Sequence, residues 1–446
     1  MTLQFGTDGV RGVANVDLSP ELVVAFGRAV VRALGRDRRY LVGRDTRRSG
    51  TLIEVALSAG ICSEGGLVES AGVIPTPGLA YLAQTLDTPA VMISASHNPF
   101  PDNGLKLFAA GGRKIPDATE REIEAGLLGI LEHGPGDAVP VAGAVGVATR
   151  MSGGTDRYVE HLGSSIVGRS LAGVRVVLDC GHGAAFEVAP DAMRALGATV
   201  EVRNAEPDGS NINTGCGSTH PEGLQQAVVE LGFDAGLAFD GDADRVVAVD
   251  ERGQLIDGDH ILAVCALDLR AQGLLRHDTV VTTVMANLGF RRAMADHGIE
   301  VVETPVGDRS VLAAMETHHA VLGGEQSGHV IFSELATTGD GTLTGIQLLD
   351  VVLRTGTPLS GLAAVMTAFP QVLRNVRVSD RDALKGARGF WTAVEAAESE
   401  LGDDARILVR PSGTEPVVRI MVEAVEAGAA AAVAEQLEAA LLAALG

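Results

Sequence analysis

The sequence predicts an α/β fold class: three similar mixed α/β domains plus a smaller C-terminal α+β domain, arranged around a central cleft. Three observations predict it. A rhythm of short apolar strand, turn and amphipathic helix runs three times along the chain. Its strands are near-continuously apolar, as in parallel sheets covered on both faces. Residues 369–446 then change the order to strand, helix, two close strands and helix. At 446 residues the chain exceeds one ordinary core and suits three or four domains.

The first domain is read over 1–150. Ser19-Pro20 caps a helix that carries Leu22, Val23, Phe26 and Val30 on one face. YLVG (40–43), GLVES (66–70) and AVMIS (90–94) are strands, with helices near 51–59 and 77–86 between them. A Gly/Pro-rich stretch at 134–146 marks the boundary. The second domain, 151–255, alternates VRVVLD (174–179), a helix near 185–196, TVEVR (199–203), a helix near 221–231 and AGLAF (235–239). The third, 256–368, holds TVVTTVM (279–285), EVVET (300–304) and helices near 289–297, 309–317 and 342–354. The fourth, 369–446, ends in an Ala-rich stretch with Val433, Leu437, Leu441 and Leu445 at four-residue steps, which reads as a closing amphipathic helix. Ligands of open α/β sheets bind in loops beyond the C-terminal strand ends. The chemically rich loops fall there in each domain, hence the expected shared cleft.

Composition excludes several functions. The 46% apolar and 21% charged residues give the balance of a soluble globular protein. A net charge of −22 and only 3% aromatics oppose nucleic-acid binding. An anionic small substrate stays compatible, because a few Arg and Lys side chains can focus positive potential locally. Cys62, Cys180, Cys216 and Cys265 lie far apart with no C-x-x-C, so neither a zinc site nor a disulfide framework is expected. The start MTLQFGTDGVRG has no basic n-region or apolar h-region, and no apolar run is read as reaching membrane-spanning length. The expected setting is a reducing cytoplasm, with no membrane partner.

Four segments carry chemistry. In AVMISASHNPFPDNGLKLF (90–108) a strand opens into a polar loop that Asn98-Pro99 forces to turn. Ser96 can be a nucleophile there, with Ser94 and His97 as competitors and Lys106 placed to act on a proton. In GLAFDGDADRVVAVDE (236–251), Asp240, Asp242 and Asp244 alternate with small residues, so an extended loop aims all three carboxylates to one side. Such oxygen ligands suit a hard cation such as Mg²⁺. An EF-hand reading fails, because Arg245 replaces the turn glycine and strands flank the loop. Arg245 would suit a phosphate shared with the metal.

RPSGTEPVVR (410–419) offers Arg410, Ser412, the amides near Gly413, Thr414 and Arg419 to phosphate oxygens. A hairpin turn with surface arginines would look the same. GGEQSGH (323–329) sets Glu325 and Ser327 two apart to face one ligand, with His329 beside them. FGTDGVRG (5–12), VGRDTRRSG (42–50) and TPVGDRS (304–310) are Gly/Arg-rich loops in which Arg11 and Arg44 are candidate phosphate contacts, although Arg-Asp surface pairs read alike.

Taken together, SASHNP (94–99), DGDADR (240–245), GEQSGH (324–329) and RPSGTEP (410–416) resemble, in that order, the phosphoserine, metal, sugar-recognition and phosphate loops of the α-D-phosphohexomutase superfamily. The resemblance covers essentially the whole chain, one motif per domain. It implies a phosphoserine at Ser96 whose phosphate joins Asp240, Asp242 and Asp244 on Mg²⁺. It also implies acid/base or charge-stabilising roles for Lys106, Arg11 and His329. A hexose 1,6-bisphosphate, of glucosamine or glucose, is the implied intermediate and activator. FGTDGVRG, GCGSTHPEG (215–223), GGEQSGH and TTGDGTLT (337–344) point to the glucosamine branch, which feeds amino-sugar nucleotides and cell-wall precursors. Glucose or mannose phosphates are the nearest alternative substrates. A metal-dependent phosphatase, which would release free phosphate, and a silent sugar-phosphate sensor are the other classes. A homodimer is an open expectation.

Overall fold

The computed structural model describes residues 9–36, 38–136, 138–412 and 416–446. They form two compact units. One takes the chain up to Met285 together with Ile299–Val365, and the other joins Ala286–Gly298 to Met366–Gly446.

The first unit holds three sheets. The six-stranded sheet runs in the order Val10–Val13, Asp102–Phe108, Ala90–Ile93, Arg39–Arg44, Leu67–Val73 and Ala148–Arg150. The five-stranded sheet runs Leu255–Ile256, Val246–Asp250, Ala235–Phe239, Arg175–Asp179 and Thr199–Arg203. The four-stranded sheet runs Glu300–Thr304, Thr279–Thr283, Leu322–Gly324 and Val330–Phe332. Each has a parallel heart, as the apolar strands predict, but none is wholly parallel. Asp102–Phe108 lies antiparallel to Ala90–Ile93, Val246–Asp250 to Ala235–Phe239, and Val330–Phe332 to Leu322–Gly324. The reason is loop length: a parallel return needs a crossover of a dozen or so residues, and the intervening motif loops are shorter. Three of the chemically rich segments are therefore turns between antiparallel neighbours.

The expected elements form close to their predicted bounds. Helix Pro20–Leu34 starts with the Ser19 hydroxyl accepting from Leu22 N–H (3.4 Å) and with Pro20 at its first turn. It buries Val23, Phe26 and Val30 completely, and helix Ser49–Ser63 crosses it closely. A Cβ on Gly60 would stand 2.3 Å from the Val24 carbonyl oxygen, so only glycine permits that approach. At the end of the second helix the fully buried Glu64 carboxylate accepts from Arg28, Arg32 and Arg36, at 3.3, 2.6 and 2.9 Å. Arg32 and Arg36 also donate to the carbonyls of Pro135 and Ala138, which ties down the Gly/Pro-rich stretch.

The second unit is a three-stranded antiparallel sheet, in the order Gln371–Arg377, Val417–Ala424 and Ala405–Pro411. Helices Arg388–Leu401 and Ala427–Leu445 cover it through Phe390, Val394, Leu437 and Leu441. Helix Leu288–Asp296, which the sequence rhythm groups with the third domain, belongs to this unit. Leu288 N–H donates to Glu423 (3.2 Å), and Arg292 pairs with Asp404 (2.6 Å). One expectation is corrected here. Ala427–Leu445, at 19 residues and mean hydropathy 1.4, is long and apolar enough to cross a membrane. Its Ala430, Val433, Ala434, Leu437 and Leu441 stripe is nevertheless buried in the unit's core, which is the part of a core helix.

Candidate active site

Strand Ala90–Ile93 is buried along its whole length and delivers Ser94, Ala95 and Ser96 into the interior of the first unit. Ser96 is fully buried, and its backbone sits in the left-handed region, at φ +53°. Few non-glycine residues adopt that conformation unless their surroundings enforce it. It turns the hydroxyl toward Asp240, where Ser96 Oγ donates to Oδ2 at 2.5 Å. His97 Nδ1 lies 3.2 Å from the same oxygen and 3.0 Å from Arg245 Nη1. A guanidinium only donates, so Nδ1 accepts from Arg245 and the serine proton goes to Asp240. Burial, then Arg245 and Arg11, hold the His97 imidazole down to about 4, so it is neutral near pH 7. Ser94, the competing serine, is engaged on both sides. Its Oγ donates to Asp45 (2.7 Å) and accepts the Ser96 N–H (2.9 Å).

The DGDADR turn between Ala235–Phe239 and Val246–Asp250 brings Asp240, Asp242 and Asp244 together. Each has a carboxylate oxygen within 4.8 Å of the others'. Ala243, at φ +56°, forms the tip, and Arg245 N–H donates to Asp240 Oδ1 (3.2 Å). Asp242 Oδ2 accepts from Thr76 Oγ1 (2.6 Å) and from Lys106 Nζ (2.8 Å), while its buried Oδ1 has no hydrogen-bond partner among the described residues. Lys106 Nζ also reaches Asp244 (3.3 Å). Burial, then Asp244 and Asp242, push the Asp240 carboxyl well above the ordinary carboxylate range. An all-oxygen set of three mutually repelling carboxylates fits a hard divalent cation.

The GEQSGH turn is seated against this loop. Val246 N–H donates to the Gly328 carbonyl (3.1 Å), and a Cβ on Gly328 would lie 2.1 Å from Val246 O. Within the turn, Glu325 Oε1 accepts from Gly307 N–H (3.1 Å), and Ser327 is exposed. His329 is buried, neither ring nitrogen is hydrogen-bonded among the described residues, and Nε2 stands 4.0 Å from Asp308. Arg11, on strand Val10–Val13 opposite Gly104, reaches Asn98 Oδ1 at 3.5 Å.

In the second unit, Arg410 and Arg419 stand directly opposite each other on paired strands. Like charges so placed are destabilising, and an anion between them would offset that. Burial, then Arg419, draw the Arg410 guanidinium down. Ser412 is buried, its N–H donating to Val417 O (2.8 Å) and its carbonyl accepting from Arg381 (2.6 Å). Gly413 and Thr414 lie outside the described residues.

Ser96, the three aspartates, Lys106, Arg245 and Arg11 thus come from segments far apart in sequence to one place in the first unit. In the other two Gly/Arg-rich loops, the candidate Arg44 and the arginine of TPVGDRS are engaged elsewhere. Arg44 pairs with Glu54 (2.9 Å), and Arg309 pairs with Asp117 and Glu120. Within VGRDTRRSG it is Arg47 that turns inward, 1% exposed, onto the serine loop. Arg47, Thr76 and Asn213 touch the site, and sequence reading did not single them out.

Four models of phosphoglucomutase/phosphomannomutase domains match the chain: α/β/α domain I over residues 2–132, domain II over 156–253, domain III over 257–369 and the C-terminal domain over 373–440. Among curated proteins, phosphoglucosamine mutase of Symbiobacterium thermophilum is 53% identical over 430 residues, or 95% of each chain. Among solved structures, a phosphoglucomutase/phosphomannomutase family protein from Burkholderia thailandensis is 25% identical, with a TM-score of 0.81 over 100% of this chain and 98% of that one. N-acetylphosphoglucosamine mutase of Aspergillus fumigatus, solved with GlcNAc-6P and magnesium, shares the fold at 18% identity and a TM-score of 0.71, over 100% of this chain and 96% of its own. The chain belongs to the phosphoglucomutase/phosphomannomutase family.

Proposed function

We propose that the protein is a cytoplasmic isomerase that interconverts glucosamine 6-phosphate and glucosamine 1-phosphate, carrying a phosphoryl group on Ser96. The observation that carries this reading is the Ser96 hydroxyl held 2.5 Å from Asp240 in a buried triad of aspartates. Relatives 53% identical over nearly the whole chain bear the name phosphoglucosamine mutase, which favours the amino sugar.

Asp240, Asp242 and Asp244, with a phosphate oxygen on Ser96, would hold Mg²⁺, which when bound supplies Lewis-acid neutralisation of phosphoryl charge. Phospho-Ser96 gives its phosphoryl group to the free hydroxyl of the hexose monophosphate. A hexose 1,6-bisphosphate forms and the Ser96 oxygen regains a proton. The bisphosphate turns end for end, its other phosphoryl group passes to Ser96, and the isomeric monophosphate leaves. Arg11 and Arg245 spread the charge that develops in each transfer. Lys106 and His329 are the groups for proton movement. Glu325 and Ser327 hold ring hydroxyls. Arg410, Ser412, Gly413, Thr414 and Arg419 hold the phosphate that is not transferring. Glucosamine or glucose 1,6-bisphosphate serves as activator by phosphorylating a bare Ser96.

³¹P NMR of the protein with Mg²⁺, trace glucose 1,6-bisphosphate and glucosamine 6-phosphate tests this, with glucose and mannose 6-phosphates in parallel and Ser96→Ala as control. The 1-phosphate signal is expected to grow fastest from glucosamine and to vanish in the control. A lead for glucose or mannose would move the substrate, and inorganic phosphate alone would replace the mutase with a phosphatase.

A further inference from the structure

The Ser96 backbone is hydrogen-bonded at both its N–H and its carbonyl, and the carbonyl's donors come from two parts of the chain. Its carbonyl accepts from Arg47 Nη2 (2.8 Å) and from Asn213 Nδ2 (2.9 Å). Arg47 also donates through Nη2 to Asn98 O (2.8 Å), through Nη1 to Pro99 O (2.6 Å) and through Nε to Asp45 Oδ2 (2.9 Å). Four of the bonds a guanidinium can donate are thus spent on one loop and its anchor. Asp45 closes the circuit, since it also receives Ser94 Oγ, which receives the Ser96 N–H. Asn213 approaches from the other side, on the loop that follows strand Thr199–Arg203, and it bonds Asn98 O as well (3.2 Å). Both sides of the Ser96 peptide are pinned while its φ stays at +53°.

A left-handed serine is strained and persists only where its neighbours over-determine it. Without the two donors on its carbonyl, relaxation to negative φ would swing Oγ away from Asp240. A lysine at 47 could replace one of these bonds but not the fork, because its ammonium is a single point on a flexible stem.

We propose that Arg47 and Asn213 are positioning residues that hold Ser96 in its left-handed conformation, so that its hydroxyl receives and delivers the phosphoryl group in line with the aspartate triad. This rests on the reading of Ser96 as the phosphoryl carrier. In that step the Ser96 oxygen forms a bond to phosphorus as the sugar oxygen leaves, and the serine proton passes to that sugar oxygen.

The test uses the full chain with Mg²⁺. Glucose 1,6-bisphosphate is added and phosphate on Ser96 is followed by mass spectrometry, for wild type, Arg47→Lys and Asn213→Ala. Misplacing a reacting atom by about 1 Å can cost about 100-fold in rate. Phosphorylation of Ser96 is therefore expected to slow about 100-fold in Arg47→Lys and about 10-fold in Asn213→Ala. The KM for glucosamine 6-phosphate should stay within about twofold, with the loss in kcat. Wild type that never gains phosphate on Ser96 would sink the phosphoserine reading itself. Wild type that is phosphorylated, beside variants that react at its rate or lose only KM or thermal midpoint, would overturn the positioning role alone. If Arg47→Lys does not fold, the Asn213→Ala rate decides.

Discussion

Lys106 Nζ lies 2.8 Å from Asp242 Oδ2, with the lysine side chain 2% exposed and the aspartate sealed from solvent. A buried ammonium here balances part of the charge of three clustered carboxylates. Removing one partner of a buried pair typically costs about 3–5 kcal/mol, because the other is left uncompensated. Lys106→Met is expected to lose stability on that scale in EDTA and to regain more from added Mg²⁺ than wild type does. Urea unfolding of both proteins, with EDTA and with Mg²⁺, measures it. An equal Mg²⁺ increment in the two would show that lysine and cation act independently.

Glu64 predicts a pH signature. Burial alone would raise its carboxyl, but hydrogen bonds from Arg32 and Arg36 outweigh burial and hold it below the ordinary value. A carboxyl lowered on folding adds stability above its unfolded pKa and loses it as pH falls through the folded one. Glu64→Gln should therefore unfold at a lower temperature than wild type at pH 7 and converge on it below about pH 4. Calorimetry across that range decides, and a gap that persists in acid would assign the loss to packing rather than charge.

Asp340 predicts the opposite sign. It caps helix Gly341–Thr355 by accepting from Leu343 N–H (2.9 Å) and takes the Tyr158 hydroxyl (2.8 Å), and burial pushes it up to about 6. The folded state then favours the protonated acid, so this group's contribution is full below its unfolded value, near 4, and is lost as pH rises to about 6. Asparagine still caps the helix and can donate to the tyrosine oxygen. Asp340→Asn should gain on wild type between pH 4 and 7, by up to about 3 kcal/mol. Paired denaturant titrations at the two ends of that window would show it, and a constant difference would contradict it.

Arg410→Ala should weaken binding of glucosamine 6-phosphate and glucosamine 1-phosphate alike, by about tenfold or more, because a charge-assisted fork to phosphate is lost. Isothermal titration with each monophosphate measures this. A loss confined to one of them would mean that the loop reads only one orientation of the sugar.

The chemistry was legible where it is contiguous. DGDADR brings three carboxylates together in one short turn, and SASHNP places its serine at a strand end. Long-range partners leave no such trace. Thr76 lies 166 residues from the Asp242 it orients, and Asn213 lies 117 residues from Ser96. In VGRDTRRSG, composition alone could not say which arginine turns inward. Arg44 is still on strand Arg39–Arg44 and meets Glu54, whereas Arg47, past the strand end, folds back under the serine loop. Strands Leu322–Gly324 and Val330–Phe332 are three residues each, too short for an alternation to show. Helix Leu288–Asp296 was legible as a helix, but its rhythm carried no sign of the sheet it joins.

The motif turns of the first unit each link two antiparallel strands, and this has a consequence for how such a chain can vary. Adding a residue to one of these turns can leave the ladder intact as a longer loop, but it shifts the side chains that the turn presents, and a slip of one in the strands would exchange the faces of every side chain. The turns at Ser96, Asp240 and Glu325 are thus constrained in length by the placement of the side chains they carry. Among the described residues, Pro135 and Ala138 meet Arg32 and Arg36 through backbone carbonyls, which any residue type supplies. Insertions beside Pro135 and Ala138 are therefore expected to be borne better than insertions in the three turns.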